Sequence, residues 1–221
     1  MSIAENIRGI KSGLPADVKL VAVSKFNPVE SVIEAYNAGQ IVFGESRMQE
    51  LDSKHKQLPD DIEWHFIGHL QTNKVKAIIP YVHTIHSVDS WKLIAEIERQ
   101  ASLAGRVVNC LLEIHIARED SKYGLSEEGC RQLLDNNDWH ALKYVRLCGV
   151  MGMATYTDDE ELIRTEFKML HDIFNGLKCR YFEGFDYFSE ISMGMSHDYK
   201  IAIEEGSTMV RIGSSIFGER I

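Results

Sequence analysis

Leu20-Val21-Ala22-Val23-Ser24-Lys25-Phe26-Asn27-Pro28-Val29 is the stretch on which the fold turns. Four consecutive apolar residues, Leu20 to Val23, predict a strand buried on both faces. A charged side chain just behind such a run has no place in packed hydrocarbon. Lys25 is therefore expected at the strand's C-terminal mouth, where α/β barrels and open α/β sheets carry their chemistry. Pro28 opens the next helix, Val29 to Ala38, which Gly39 ends. On position alone a surface lysine in a loop is an equal reading, and the rest of the chain has to decide.

The same unit recurs along the sequence. Ile41 to Phe43 precedes Gly44-Glu45-Ser46-Arg47 and a polar helix, Met48 to Gln57; Ile62 to Ile67 precedes Gly68-His69 and a helix from Thr72 to Ile79. Val82 to Ile85, Val107 to Ile116, Val145 to Val150, Tyr187 to Ile191 and Thr208 to Ile212 continue the series of strands. Between them lie helices at Trp91 to Ala104, behind Ser126, from Asp158 to about Lys178, and from His197 to Glu205. Alternating strands and helices predict parallel strands with right-handed crossovers. Eight such units predict a closed barrel, because closure removes the sheet edges. The expected fold is α/β, a single-domain (β/α)8 TIM barrel over residues 1–221, with an amphipathic N-terminal helix at about 2–12; an open doubly wound sheet is the competitor. In the barrel, Lys25, Glu45, His69, Ser87, Glu119, Met153, Ser192 and Arg211 would ring one mouth.

Composition removes several classes of function. The 221 residues are 44% hydrophobic and 26% charged, as in ordinary globular proteins. A net charge of -9, with no long basic run, argues against a nucleic-acid partner. Cys110, Cys130, Cys148 and Cys179 form no CxxC pair, which fits a reducing cytoplasm and gives no metal or redox signature. The first residues lack the apolar core of a signal peptide, and no apolar run is long enough to span a membrane. A cytoplasmic location is expected.

Two loops carry the chemistry. Ser192-Met193-Gly194-Met195-Ser196 and Gly213-Ser214-Ser215 follow the seventh and eighth strands, where barrel enzymes usually hold a phosphate. Glycines let the backbone approach the oxygens, while N–H groups and serine hydroxyls donate to them. Glycine and serine are also common turn residues, but two such loops in adjacent places favour a phosphate site. Arg211 is a charge inside an apolar strand, pointing either outward to a helix acid or inward to the mouth. His65 and His69, and His83 and His86, have spacings that can hold zinc. No acidic third ligand is spaced with the first pair, so ordinary histidines and no metal are expected. Lys54-His55-Lys56 reads as a solvated face. A lysine, a phosphate site and an arginine around one mouth suit an aldehyde that carries a phosphate. Pyridoxal 5'-phosphate meets all three demands, and a Schiff-base aldolase acting on a sugar phosphate fits nearly as well.

The motifs Val21-Ala22-Val23-Ser24-Lys25, Phe43-Gly44-Glu45, Trp64-His65-Phe66-Ile67-Gly68-His69-Leu70-Gln71, Asn73-Lys74, Ser192-Met193-Gly194-Met195-Ser196 and Val210-Arg211-Ile212-Gly213 resemble the pyridoxal phosphate homeostasis protein family, from about Leu20 to Arg220. The resemblance implies a barrel like the N-terminal domain of alanine racemase, the pyridoxal-phosphate fold type III. It implies pyridoxal 5'-phosphate held as an internal aldimine on Lys25. It implies cofactor contacts from Ser192, Met193, Gly194, Ser196, Gly213 and Ser214, with Ser46 and Met153 at the same mouth and Arg211 facing the pyridine nitrogen. It also implies a non-catalytic role in B6 balance, by buffering or delivering the cofactor, with PLP-dependent client enzymes as partners and other B6 vitamers as further ligands. A PLP-dependent racemase or lyase of low activity is the alternative, and a barrel that binds a client and uses the cofactor as a stabiliser is a third. A monomer is expected, since the racemase's β domain is not found after the barrel. The chain departs from the family's usual residues at Ser46, where Asn is common, at Phe26, where a small polar residue is common, and at His115, where Asn is common.

Overall fold

The computed structural model of the protein describes residues 2–119 and 123–218. Eight strands form it: β1 Lys19–Val23, β2 Val42–Glu45, β3 Glu63–Phe66, β4 Val82–Val88, β5 Val108–Ile114, β6 Val145–Gly152, β7 Glu190–Ser192 and β8 Met209–Ile212. They pair in sequence order, all parallel, and β8 closes back on β1, with Leu20 opposite Val210 and Val21 opposite Arg211. The open-sheet alternative is thereby excluded. Around the barrel lie α1 Ile3–Gly13, α2 Val29–Asn37, α3 Met48–His55, α4 Val75–Ile78, α5 Trp91–Ala104, α6 Glu127–Asp135, α7 Glu160–Tyr181, α8 Tyr199–Glu204 and α9 Ser214–Phe217. No described helix is long and apolar enough to cross a membrane.

Local chemistry explains the boundaries. Ser2 and Glu5 form a reciprocal capping box at the start of α1, and Ser126 caps α6 by accepting from the Gly129 N–H. α7 is capped by Asp159 rather than Asp158, its side chain accepting from Leu162 N–H at 3.1 Å. β4 runs three residues past the expected end at Ile85, because His86 and Ser87 are buried with hydrogen-bonded partners instead of opening a loop. β7 begins later than expected. Phe188 stacks on Phe182 and Phe174 with ring centroids 4.0 and 5.2 Å apart, so Tyr187 and Phe188 belong to an aromatic turn. Of the polar loop from Arg118 to Gly124, positions 120–122 lie outside the described residues.

The strands sort their side chains by period two. Leu20 and Ala22, Trp64 and Phe66, Leu112 and Ile114, and Val210 and Ile212 face outward, into one apolar layer shared with the helices. The inner face is different. His65, His86, Glu113, Ser192 and Arg211 are all buried there, beside a small apolar cluster of Leu111, Cys148 and Met151. So the barrel is filled largely by hydrogen-bonded polar groups.

Gly149 marks the tightest backbone approach. A Cβ there would lie 1.8 Å from the Glu190 carbonyl oxygen, on the strand that pairs with it. Gly149→Ala is expected to cost about 4 kcal/mol or more, in the range of severe overpacking. Urea unfolding followed by circular dichroism would measure it, and a variant within about 1 kcal/mol of wild type would show that β6 and β7 can separate there.

Candidate functional site

Arg211 points inward from β8. Its guanidinium donates from Nη1 to the Ser192 carbonyl and Oγ at 2.7 and 2.6 Å, and from Nη2 to the Gly152 carbonyl at 3.0 Å. Burial lowers its pKa to about 10, against the attraction of Asp198 and Glu113, so it remains charged at neutral pH. Ser192 Oγ is also 3.0 Å from His86 Nδ1, and His86 Nε2 is 2.8 Å from His65 Nδ1. Burial holds both histidines well below the usual range, reinforced by their neighbours' charges, so both rings are neutral. Glu113, another buried inner residue, has its pKa raised to about 7 by burial and by Asp89, against the pull of Arg211.

Lys25 stands in the turn that leaves β1, half-buried, one alternation step beyond the inward-facing Val21 and Val23. The peptides on either side of it are held from outside the barrel. Lys54, on α3, donates to the Ser24 carbonyl, to Glu45 Oε1 and to Glu50 Oε1, each at 2.7 Å. Glu50 Oε1 accepts the Phe26 N–H at 2.6 Å, and the Ser24 hydroxyl donates to Glu45 Oε1 at 2.7 Å. Phe26 has φ +67°, a left-handed conformation that is rare for a bulky residue. It is held there by Glu50 and by Arg47, whose guanidinium lies 4.7 Å from the ring centre.

The two serine–glycine loops meet. Ser196 Oγ accepts the Gly213 N–H at 3.2 Å, and the Gly194 carbonyl accepts the Arg211 N–H at 2.9 Å. Gly194 has φ +95°, and a Cβ on it would sit 2.6 Å from Ala202 Cβ, so only glycine lets the loop run against α8. A Cβ on Gly213 would lie 3.2 Å from the Val23 carbonyl, which brings this loop against the end of β1, two residues before Lys25. Ser214 is exposed at the first turn of α9, where backbone N–H groups have no acceptor within the helix.

Other expected positions fall differently. Met153, half-buried, packs on the inner cluster of Leu111, Cys148 and Met151. Met193 is fully buried in the outer apolar layer, and its N–H and carbonyl are engaged by Met209 and Ser207, so it shapes the loop. Ser46 lines a cleft of about 270 Å³ with Arg47, His69 and Lys74. Glu45 does not ring the mouth; it lies fully buried beneath α3, where burial raises its pKa despite Lys54. Lys54 corrects the solvated-face reading, being only 4% exposed. Its one sequence signal was the spacing of Glu50 and Lys54, a helical i,i+4 pair. His86 and Glu113 gave no signal, because their partners come from distant strands.

Lys54→Met would leave Glu45 buried without its cation, at a cost of about 3–5 kcal/mol. Adding Glu45→Gln should recover part of that loss in chemical denaturation. Glu113 gives a pH test. Between about its ordinary pKa of 4.5 and its folded value of about 7, the unfolded carboxyl is ionised while the folded one keeps its proton. Stability therefore falls as pH rises through that window. Glu113→Gln should flatten the fall by up to about 3 kcal/mol; identical pH profiles for the two proteins would contradict it.

The family of alanine racemase N-terminal domains matches residues 1–221. The pyridoxal phosphate homeostasis protein of Aquifex aeolicus is 40% identical over 203 residues, which is 91% of this chain and 87% of that protein. That of Schizosaccharomyces pombe is 37% identical over 211 residues, 92% of this chain and 85% of that protein. Among solved structures, PipY of Synechococcus elongatus PCC7942 with PLP bound superposes with a TM-score of 0.89 at 33% identity, covering 98% of this chain and 100% of that one. An alanine racemase of Clostridium difficile 630, at 17% identity and a TM-score of 0.75, shares the fold over 99% of this chain and 56% of its own. By its barrel, its motifs and these relatives, the chain belongs to the pyridoxal phosphate homeostasis protein family.

Proposed function

We propose that this protein binds pyridoxal 5'-phosphate at the C-terminal mouth of its barrel and serves PLP homeostasis by carrying the cofactor without robust catalysis. The residues present fit the group. Lys25 offers an amine at the end of β1. The joined loops of Ser196 and Gly213 offer a glycine cradle and helix N–H groups suited to a phosphate. Arg211 spends three of a guanidinium's five donors on Ser192 and Gly152, leaving donors for a ring nitrogen. Ser46, Met153, Ser192, Gly194 and Ser214 are proposed as the remaining neighbours of the cofactor. Met193 is proposed to act through the path of its loop.

When bound, the cofactor supplies an aldehyde for amine capture and a ring that withdraws electrons strongly once its nitrogen is protonated. The single observation that carries the non-catalytic reading is the charge of Arg211. A guanidinium that keeps its proton donates to the nitrogen and gives it none. Glu113 and Asp198 hold that charge in place, and Ser192 fixes its plane. The chain's own groups therefore orient and retain the ligand instead of driving proton abstraction. PLP-dependent client enzymes would be the recipients, and a monomer is the form proposed.

Purified protein loaded with pyridoxal 5'-phosphate should show a visible absorption band. Borohydride should then fix a pyridoxyl group on Lys25, located by peptide mass mapping, and Lys25→Ala should abolish both. With saturating cofactor, amino acids should exchange their α-protons no faster than with free cofactor. Labelling at another lysine would remove the proposed attachment, and exchange that depends on Lys25 would replace carriage with a racemase or lyase activity.

A further inference from the structure

Glu63, His65 and His83 converge at the N-terminal end of the barrel, opposite the mouth just described. One ligating atom from each, a carboxylate oxygen and two ring nitrogens, lies within 4.8 Å of the others. Sequence spacing pairs His65 with His69 and His83 with His86. The fold instead sets His65 beside His83 on neighbouring strands, with ring centres 5.6 Å apart. Alternation puts Glu63 and His65 on the same face of β3. Trp64 stands opposite Val82 and His65 opposite Thr84, so His83 is the extra residue of a bulge. Bulges of this kind re-aim a side chain.

His65 is the decisive residue. Its imidazole is fully buried, and its Nδ1 is tethered 2.8 Å from His86 Nε2. Its Nε2 is buried with no hydrogen-bond partner among the described residues. A buried, unsatisfied ring nitrogen is costly, and it needs a partner that the chain does not supply. The ring is neutral, which is the form that binds metals.

We propose that Glu63, His65 and His83 form a zinc-type divalent-metal site at the floor of the barrel. Two histidines and a carboxylate with an open fourth position are a recurrent zinc ligand set. The side chains of Glu63 and His83 are 43% and 41% exposed, which gives the ion a path and leaves the fourth position to solvent. Bonds of about 2.0–2.2 Å at tetrahedral angles require ligand atoms about 3.3 Å apart. Rotation of those two half-exposed side chains supplies the closure. Lys19, whose charge acts on both histidines, is paired with Glu190 at 3.1 Å. A metal on Nε2 leaves the proton on Nδ1, so His65 donates to His86. That is the outer hydrogen bond a ligating histidine ordinarily makes. It also sets the direction of the chain through His86 to Ser192, the residue that holds Arg211. The site stands independently of the cofactor proposal.

The test is calorimetric titration of the untagged, chelator-washed full chain with zinc chloride at neutral pH. His83→Ala and Glu63→Gln run in parallel, with imidazole NMR signals recorded at each step. One zinc per chain is expected, with the His65 and His83 rings shifting together. Loss of a ligand should weaken binding at least as much as loss of an outer hydrogen bond, roughly tenfold or more in each variant. No binding at zinc concentrations well above that of the protein would overturn the proposal. So would binding undiminished in both variants, which would put the ion elsewhere.

Discussion

A guanidinium enclosed in a barrel is the constraint that orders this molecule. Taking such a charge out of water costs several kcal/mol, and the surroundings must return it as hydrogen bonds and opposite charge. Arg211 receives two acceptors from Ser192, one from Gly152, and the fields of Asp198 and Glu113. Those needs reach into the neighbouring strands. Ser192 must face inward on β7, β6 must run to Gly152, and the histidine beyond Ser192 must stay neutral beside a permanent cation. The polar filling of the barrel is thus one connected arrangement.

The turn that carries Lys25 is held by an independent device on the other side of the sheet. Lys54 and Glu50 seize the carbonyl before Lys25 and the N–H after it, and Glu45 and Ser24 complete the cluster beneath α3. A left-handed Phe26 is worth about 1–3 kcal/mol of strain. Such strain persists only where several contacts over-determine it, and here Glu50 and Arg47 do so. The clamp leaves the inward side of the turn for a ligand and does its work from the outer layer. That division suits a residue whose amine has to be presented at a fixed place.

The two ends of the barrel are joined by its interior. His65, His86, Ser192 and Arg211 form a continuous hydrogen-bonded series from the floor towards the mouth. Because each neutral imidazole has one donor and one acceptor, the proton on the first ring sets the direction of the next bond. A group bound at His65 Nε2 would therefore be felt at Ser192 without any movement of the backbone.

The period and order of the apolar runs were enough, by themselves, to determine eight alternating units and a parallel closed sheet. Lys25 behind β1, and the glycine–serine loops after β7 and β8, were legible for the same reason: each is a local departure from a strong local pattern. Arg211 was legible as a charge in an apolar strand, but its direction was not, because only closure of the barrel places Ser192 and Gly152 beside it. Lys54 read as a surface residue, since nothing in its own helix announces that Glu45 and the Ser24 carbonyl lie beneath it. The histidines were misread for a related reason. Spacing along the chain suggested pairs within a segment, whereas a one-residue bulge in β4 brings His83 to His65 across two strands. Contacts between strands depend on register, and register is decided by how the whole sheet closes.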